Sequence, residues 1–398
     1  MEHILVINGP NLNLLGTREP DIYGSTTLPM LESDIRAWGT QLGLDVDTFQ
    51  SNHEGALIDR IHAAASDRDG IIINPGALTH YSYAIHDALS AVDTPAVEVH
   101  ISNINEREPW RRTSVTAPAC VYAIAGRGLE GYRAALHHLY WRHTWEPLTL
   151  SYGDGPDQVA DLRVPAGDGP FPVAVMLHGG FWRNVWTRDL MDGISVDLSR
   201  RGWATWNVEY RRLGKNGGWP ATLEDVADAI DALAPLAADF RLDVDAVTTV
   251  GHSAGGHLAL WAAARSSLPL DAPGAVPQVR VRTAVGLAPM ADLAAGYRAG
   301  LGGGAVAEFL GASPEAAPER YATSSPAELL PCGVRQLIVH GDIDDRIPVS
   351  SSREYAGKAA DAGDAVVYHE LEDADHFVLI DPNSAAWNKV AAEIDELR

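Results

Sequence analysis

The sequence predicts an α/β protein built from two parallel-sheet domains in series. Short apolar, strand-like runs alternate with amphipathic, helix-like runs over residues 1 to about 142, and again from "PVAVMLHGG" onwards. Such alternation is typical of parallel strands joined by helical crossovers. Between the two regions lies "HTWEPLTLSYGDGPDQVADLRVPAGDGPFP", which is rich in Gly, Pro and Asp. We therefore predict one domain over residues 1–142 and a second over residues 143–398.

The first region contains five strand candidates separated by helix patterns such as "LPMLESDIRAWGTQLG" and "ALIDRIHAAA". The candidates are "HILVI" (3–7), "LDVDTF" (44–49), "GIIIN" (70–74), "AVEVH" (96–100) and "CVYAIA" (120–125). This order favours a flavodoxin-like, doubly wound sheet of five parallel strands. Ligands bind at the carboxyl ends of the strands in such sheets, so the residues that follow each strand are the candidate site.

Composition and charge limit the classes of function. The 398 residues are 46% apolar and 21% charged, as in ordinary globular proteins. No apolar run approaches the roughly 18 residues of a membrane span, and no basic stretch precedes a short apolar one at the start. We therefore expect a cytoplasmic protein without membrane contact. The net charge of −23 argues against nucleic acid as a partner. Cys120 and Cys332 have no metal-ligand or disulfide spacing, and we expect them to be small apolar core residues.

Polar residues follow several strands of the first region. The residues concerned are Asn11, Arg18 and Tyr23 after the first strand, Asn74 and His80 around the end of the third, and Glu98, His100, Ser102, Arg107 and Arg111 in or after the fourth. Any one of them alone reads best as a surface residue. Their concentration at the ligand-binding edge of the predicted sheet favours a site instead.

Three segments carry a specific resemblance. "INGPNLNLLGTREPDIYG", "NPGALTHYSYAIHDAL" and "EVHISNINEREPWRRTS" resemble the signature segments of type II 3-dehydroquinate dehydratase, in the same order and over about the first 142 residues. The resemblance implies dehydration of 3-dehydroquinate to 3-dehydroshikimate. It also implies a homo-oligomer, a trimer or a dodecamer, formed through this domain.

The lysine content limits the chemistry of such an elimination. The three lysines are Lys215, Lys358 and Lys389, so the first region has none and a Schiff-base route is closed. An acid and a base on opposite sides of the ring are then required.

Roles for individual residues follow from the resemblance. Tyr23 would abstract the proton, its pKa lowered by Arg18. His100, oriented by Glu98 and helped by Asn11, would protonate the departing hydroxyl. Five groups would hold the substrate carboxylate and hydroxyls: Asn74, His80, Ser102, Arg111 and the backbone of Ile101, with Arg107 beside them. The long loop over residues 8–24 would be a lid that carries the base and excludes water.

A nucleophile elbow marks the second region. "AVTTVGHSAGGHLALWAAA" is an apolar strand, then G-x-S-x-G, then a helix, which is the context in which this short pattern is specific. Ser253 is the predicted nucleophile. The alternative is a glycine-rich turn with an incidental serine. "LHGGFW" follows an earlier strand, and one oxyanion donor would come from Gly180 or Phe181 and the other from Ala254.

The acid and the histidine should follow the serine in that order. "QLIVHGDIDDRIPVS" places Asp342, Asp344 and Asp345 after a strand, and the pattern histidine-glycine-x-x-Asp-x-x-Ile/Val-Pro selects Asp344, with Asp345 in reserve. "DADHFVLI" supplies His376. For two further histidines at the elbow, His252 and His257, packing or solvent contact is the expected role.

This region resembles the α/β-hydrolase fold over about 230 residues, and "HGGFW" is similar to the H-G-G-x-W signature of kynurenine formamidase and related carboxylesterases. The resemblance implies an ester or an aryl-formamide as substrate. Four tryptophans are candidates for an aromatic acyl pocket or, more ordinarily, for the core: Trp182, Trp186, Trp206 and Trp219.

Two functions compete. The first is a bifunctional enzyme that combines 3-dehydroquinate dehydratase with a Ser-His-Asp hydrolase, needing neither a cofactor nor a metal. The alternative is a non-catalytic, dehydroquinase-like scaffold that carries an active serine hydrolase. The retained Arg18, Tyr23 and His100 argue for the first, because a scaffold has no need of them.

Overall fold

A computed structural model describes residues 3–17 and 26–396 of the chain. It contains two compact units, Met1–Thr144 and Trp145–Arg398. The last helix of the first unit continues to Thr144. Within the described residues, no helix is both long and apolar enough to cross a membrane.

The first unit is a single parallel sheet flanked by helices. The strands are β1 (His3–Asn8), β2 (Asp45–Gln50), β3 (Gly70–Asn74), β4 (Ala96–His100) and β5 (Tyr122–Ala125), in the order β2-β1-β3-β4-β5. The helices are α1 (Leu28–Gln41), α2 (Glu54–Asp67), α3 (Tyr83–Ser90) and α4 (Glu130–Thr144), with short 3₁₀ turns at Leu12–Leu14, Gly76–His80, Ile104–Glu106, Pro109–Arg111 and Ala117–Ala119. The predicted flavodoxin-like α/β class is confirmed.

The core of this unit follows from the two-residue period of its strands. In β1, Ile4 and Val6 pack on one face of the sheet with α1 and α4, whereas Leu5 and Ile7 pack on the other face with α2 and α3. β3, "GIIIN", is buried throughout, as expected for a central strand covered on both faces. The sheet edge where β1, β3 and β4 end is left for polar residues.

The second unit contains an eight-stranded sheet. Its strands are β6 (Leu148–Ser151), β7 (Val159–Arg163), β8 (Phe171–Leu177), β9 (Ala204–Val208), β10 (Leu242–His252), β11 (Val281–Leu287), β12 (Arg335–Gly341) and β13 (Val366–Leu371), in the order β13-β12-β11-β10-β8-β9-β7-β6. β6 and β7 are antiparallel to their neighbours, and the other strands are parallel to one another.

Helices cover both faces of this sheet, as the predicted α/β-hydrolase fold requires. They are α5 (Asp192–Arg200), α6 (Ala221–Asp231), α7 (Leu233–Phe240), α8 (Ala254–Ala263), α9 (Leu293–Arg298), α10 (Ala305–Leu310), α11 (Pro318–Ser324), α12 (Val349–Asp361) and α13 (Ala385–Asp395). Because β8, β10, β12 and β13 run in the same direction, the loops that follow them meet at one edge. Ser253, Asp344 and His376 all lie in these loops.

Candidate active sites

A pocket lies at the carboxyl ends of the strands in the first unit. It is lined by Pro10, Asn11, Leu12, Leu15, Asn74, Gly76, Ala77, His80, His100, Ile101, Ser102, Ile104, Arg107 and Arg111. Every predicted substrate-binding residue therefore lines it, together with two of the predicted catalytic residues, Asn11 and His100. Arg18 and Tyr23 lie outside the described residues, as does the part of the predicted lid around them.

Glu98 and His100 form a hydrogen-bonded pair behind this pocket. They are two residues apart on β4, so their side chains point to the same face of the sheet. Nε2 of His100 lies 2.7 Å from Oε1 of Glu98, and both residues are buried. Since Nε2 is taken up by the carboxylate, Nδ1 is the ring nitrogen left to face a ligand.

Three hydroxyl groups complete the surroundings of the Glu98 carboxylate. Oγ1 of Thr79 and Oγ of Ser114 donate to Oε1 at 2.8 and 2.7 Å, and Thr116 donates to Oε2. Burial raises the pKa of Glu98, but the hydrogen bonds from His100, Thr116 and Ser114 lower it below its ordinary value. The group therefore stays a carboxylate and can stabilise a positive charge on His100.

The amide of Asn74 is held from behind by a buried tyrosine. Nδ2 of Asn74 donates to the hydroxyl of Tyr132 at 3.0 Å, and that hydroxyl donates to Oδ1 of Asn8 at 2.7 Å. On the other side, the N–H of Gly76 donates to Oδ1 of Asn74 at 3.2 Å. Asn74 thus lines the pocket in an orientation fixed by β1 and α4, and it still has one amide hydrogen to offer.

The arginines of the pocket are braced by their neighbours. Arg107 donates from Nη1 to Oγ of Ser102 at 3.3 Å, and the Nε atoms of Arg107 and Arg111 lie 3.5 and 3.4 Å from the carboxylate of Glu108. The guanidinium of Arg111 stacks on the Trp110 ring at 4.1 Å. Two cations held at one rim are suited to a carboxylate ligand.

In the second unit, Ser253 lies in the turn between β10 and α8. Its backbone has φ 58° and ψ −117°, a strained conformation for a residue with a side chain. The turn closes only because its neighbours lack a Cβ atom. A Cβ on Gly255 would lie 1.9 Å from the carbonyl oxygen of Leu177, and one on Gly251 would lie 2.0 Å from that of Gly255. This geometry is the predicted elbow.

Asp344 and His376 meet between the loops after β12 and β13. Nδ1 of His376 lies 2.6 Å from Oδ2 of Asp344, and both side chains are buried. Asp345, the reserve candidate, is exposed and pairs with Arg346. Burial raises the pKa of Asp344, but hydrogen bonds from His340 and His376 hold it well below its usual range. An ionised Asp344 keeps the proton of His376 on Nδ1, so Nε2 is free to accept one.

His252 fixes the other side of this histidine. Its Nε2 lies 2.8 Å from the carbonyl oxygen of His376, and the two ring centroids are 4.5 Å apart. Burial and the neighbouring His376 hold the pKa of His252 well below its ordinary value, so the ring is neutral and Nε2–H is the donor. Since His252 directly precedes Ser253, this bond ties the histidine loop to the elbow.

The predicted oxyanion donors lie in the loop after β8 and in the first turn of α8. Gly180 and Phe181 have φ values of 107° and 51°, which turn their peptide groups away from a regular strand exit. Ala254 is the first residue of α8, and a first-turn N–H has no partner inside its helix. The loop packs against the elbow, since a Cβ on Gly179 would lie 3.0 Å from that of Ser253.

A buried ionic network supports the loop from below. Nε2 of His178 lies 2.9 Å from Oε1 of Glu209, and the His178 ring stacks on Tyr210 at 4.3 Å. Burial raises the pKa of Glu209, but Arg212 and His178 lower it well below its usual range. This histidine is therefore held by an anion rather than exposed to substrate.

Comparisons with known proteins separate the two units. The family model described as Dehydroquinase class II matches residues 2–140. A 3-dehydroquinate dehydratase of Caldicellulosiruptor saccharolyticus is 61% identical over 140 residues, which are 35% of this chain and 97% of that protein. A catabolic 3-dehydroquinase of Aspergillus oryzae is 56% identical over 136 residues, 34% of this chain and 89% of that protein. The chain belongs to the class II dehydroquinase family.

Unlike those relatives, this class II dehydroquinase continues into a hydrolase. The family model described as BD-FAE matches residues 160–358, half of the chain, so the second unit belongs to that family. A truncated carbohydrate esterase from gut microbiota shares the fold, with TM-score 0.55 and 19% identity over 63% of this chain and 94% of that one. A thermophilic esterase of Thermogutta terrifontis gives TM-score 0.53 and 21% identity over 63% and 92%. The predicted fusion is confirmed.

The structure decides between the two roles offered for two of the tryptophans. Trp182 and Trp206 are completely buried: Trp182 stacks on Phe309, and Nε1 of Trp206 donates to the carbonyl oxygen of Ala229. They are core residues and cannot line an acyl pocket. Trp186 is partly exposed and packs against Gly180. Cys120 is partly buried and packs against the core of the first unit, as expected, and Cys332 is partly buried as well.

Sequence reasoning missed several side chains of this dehydroquinase-hydrolase. Thr79, Ser114, Thr116 and Tyr132 sit behind the pocket, and their hydroxyl groups give no sequence signal distinct from that of surface residues. His252 was assigned to packing or solvent contact. Its position next to the nucleophile was a usable signal, because a side chain there must face an adjoining loop.

Proposed function

We propose that this protein is a bifunctional enzyme, a 3-dehydroquinate dehydratase joined to a serine esterase. For the dehydratase, the supporting observation is the ionised Glu98 behind His100 in a pocket that also carries Arg107 and Arg111. Membership of the class II dehydroquinase family supplies the substrate, 3-dehydroquinate, which the named relatives act on.

The proposed dehydration proceeds through an enolate. Tyr23, deprotonated with the help of Arg18, removes the proton next to the ketone. The carbon–oxygen bond to the neighbouring hydroxyl then breaks as His100 donates a proton, and water leaves. Asn11 and Asn74 assist by binding the enolate side and the ring hydroxyls, while the arginines hold the carboxylate. His80, Ser102 and the backbone of Ile101 complete the proposed contacts.

An absorbance assay tests this half. Formation of the conjugated enone of 3-dehydroshikimate should be detected in the ultraviolet with the full chain and 3-dehydroquinate, and should be lost in Tyr23→Phe. Ser253→Ala is the matched control and should retain the activity. An inactive wild type that still hydrolyses esters would instead support the alternative, a non-catalytic dehydroquinase-like scaffold.

For the hydrolase, the supporting observation is Ser253 at an elbow whose preceding residue, His252, contacts His376, the partner of Asp344. Ser253 would attack the ester carbonyl while Nε2 of His376 takes its proton. The N–H groups of Ala254 and of Gly180 or Phe181 would bind the oxyanion. Water would then release the acyl group.

An ester is favoured over an aryl-formamide because the named structural neighbours of the second unit are esterases, whereas the likeness to kynurenine formamidase rests on "HGGFW" alone. Hydrolysis of p-nitrophenyl butyrate, lost in Ser253→Ala and kept in Tyr23→Phe, is the expected result. Loss of both activities in either variant would contradict the two-site proposal. A homo-oligomer, trimer or dodecamer, and a cytoplasmic location stay predictions.

A further inference from the structure

A second histidine lies against the acid of the hydrolase site. His340, in β12, is completely buried, and its Nε2 lies 3.1 Å from Oδ2 of Asp344. That oxygen is also the one contacted by Nδ1 of His376, at 2.6 Å. We propose that His340 is a positioning residue of the esterase, holding the Asp344 carboxylate in the orientation that His376 needs. The proposal rests on the proposed esterase function.

The tautomer of His340 follows from its neighbours. Nε2 faces two acceptors, Asp344 and, at 3.0 Å, the carbonyl oxygen of Ile347, so it carries a hydrogen. Nδ1 lies 2.7 Å from Oγ of Ser352, a buried residue of α12 whose hydroxyl can donate to it. Ser352 therefore selects the tautomer that presents an N–H to the carboxylate.

With His340 included, both oxygens of Asp344 are held from two sides. Oδ1 accepts from the backbone N–H groups of Arg346 and Ile347 at 2.7 and 2.9 Å, and Oδ2 faces His376 and His340. Without His340, Oδ2 would face one histidine donor in place of two, and the Asp344 carboxylate could rotate with the loss of fewer hydrogen bonds. Oδ2 of Asp344 would then be a stronger hydrogen-bond acceptor for His376.

This arrangement predicts a change in the basicity of His376. The charged or titratable groups facing His340 are Asp344, His376 and His252, with Glu370 of β13 also within electrostatic range. An N–H from His340 withdraws negative charge from Asp344 and so weakens the stabilisation of protonated His376. Removing it should make His376 harder to deprotonate. The acidic limb of the kcat/KM profile should therefore move to higher pH.

The kinetic test compares two substitutions in the full chain. His340→Leu removes the donor, whereas His340→Gln keeps an N–H that can reach Asp344. With p-nitrophenyl butyrate, we expect kcat to fall about tenfold to a hundredfold in His340→Leu with KM nearly unchanged. We expect its acidic limb to rise by about 0.5 pH unit or more. His340→Gln should restore most of kcat and the position of the limb, and Ser352→Ala should lie between the two.

A control separates positioning from loss of stability. His257 is also buried, but its Nε2 lies 2.8 Å from the carbonyl oxygen of Ser324, away from Asp344. His257→Leu should lower the melting temperature without moving the acidic limb. An unmoved limb in His340→Leu, or a limb that moves equally in His257→Leu, would overturn the proposal.

A measurement without substrate keeps the proposal testable if no ester is hydrolysed. The Nδ1–H proton of His376 should give a low-field ¹H resonance, identified by its absence in His376→Gln. His340→Leu should move this resonance further downfield, because the bond to Asp344 strengthens. If the wild type lacks esterase activity and His340→Leu still moves the resonance, the proposed esterase function is contradicted but the positioning role of His340 is not. A resonance that does not respond to His340 would contradict the positioning role.

Discussion

Both sites use a buried carboxylate to hold a histidine, but through opposite ring nitrogens. In the first unit Glu98 takes Nε2 of His100, whereas in the second unit Asp344 takes Nδ1 of His376. Glu98 and His100 share one strand, so the backbone fixes their distance. Asp344 and His376 come from separate loops, 32 residues apart.

The partners of the two carboxylates differ accordingly. Glu98 is surrounded by side-chain hydroxyl groups, whereas Asp344 accepts from two backbone N–H groups and faces two histidines. Because one strand sets the distance between Glu98 and His100, the hydroxyl groups around Glu98 need only keep its carboxylate ionised. A pair that spans two loops also needs its orientation built by further contacts. A carboxylate–histidine pair therefore needs more supporting residues when its two members come from separate loops than when one strand aligns them.

The largest expected effect comes from replacing each carboxylate by its isosteric amide. Asp344→Asn can donate to Nδ1 of His376 and so favours the wrong tautomer, and we expect esterase kcat to fall about 10⁴-fold. Glu98→Gln should lower dehydratase kcat about 10² to 10⁴-fold, because His100 loses its anionic partner. Each variant should keep the other activity, measured with p-nitrophenyl butyrate or 3-dehydroquinate. Comparable losses in both assays would show that the two sites are coupled.

Whether a carboxylate–histidine pair can be predicted from the sequence depends on how far apart its two residues lie along the chain. The spacing of Glu98 and His100 on an apolar strand places them together from the sequence alone. In the second unit, the order of serine, acid and histidine had to be combined with the histidine-glycine-x-x-Asp-x-x-Ile/Val-Pro pattern to select Asp344, which lies 2.6 Å from His376. Both predictions rest on short segments whose geometry is local or on a fixed order of strands.

What could not be predicted is long-range packing. Thr79 and Ser114 converge on Glu98 from two loops, and nothing in either loop indicates the partner. Trp182 lies directly after the oxyanion loop, yet its ring is completely buried against Phe309. Side-chain direction in an irregular loop has no periodicity from which it could be read.

The next effect concerns the two arginines that line the pocket of the first unit, Arg107 and Arg111. Arg111→Met removes a cation from the pocket rim, and we expect KM for 3-dehydroquinate to rise about tenfold or more, with a smaller change in kcat. Arg133→Met, on the exposed face of α4, is the control for the change in net charge. The wild-type KM should also rise with salt. Equal KM changes in the two variants would mean that overall charge, rather than the pocket, attracts the substrate.

A smaller effect is expected at the hydrolase site, which should prefer a cationic substrate rather than an anionic one. Five exposed carboxylates lie in the loops that carry Asp344 and His376. They are Asp342, Asp345, Glu372, Asp373 and Asp375. At low salt, kcat/KM should be about twofold to tenfold higher for acetylcholine than for its neutral isostere 3,3-dimethylbutyl acetate, and lowest for 4-acetoxybutanoate.

Asp373→Asn should reduce that preference. Asp373 has φ 53°, a conformation that asparagine tolerates, so the charge can be removed without backbone strain. About 0.5 M salt should suppress the preference in the wild type as well. An ester series ordered by size rather than by charge, or one that does not respond to salt, would show that the loops do not select by charge.

The smallest expected effect compares the stability of the two units. Gly55 in α2 and Gly357 in α12 are exposed helical glycines with open space where a Cβ would stand. Alanine at either position should raise the free energy of unfolding by about 0.5–1 kcal/mol, because a helical glycine loses more backbone entropy on folding. In differential scanning calorimetry, Gly55→Ala should move only the transition of the first unit and Gly357→Ala only that of the second. A single transition moved by both variants would show that the two units, whose sites are chemically distinct, unfold as one cooperative body.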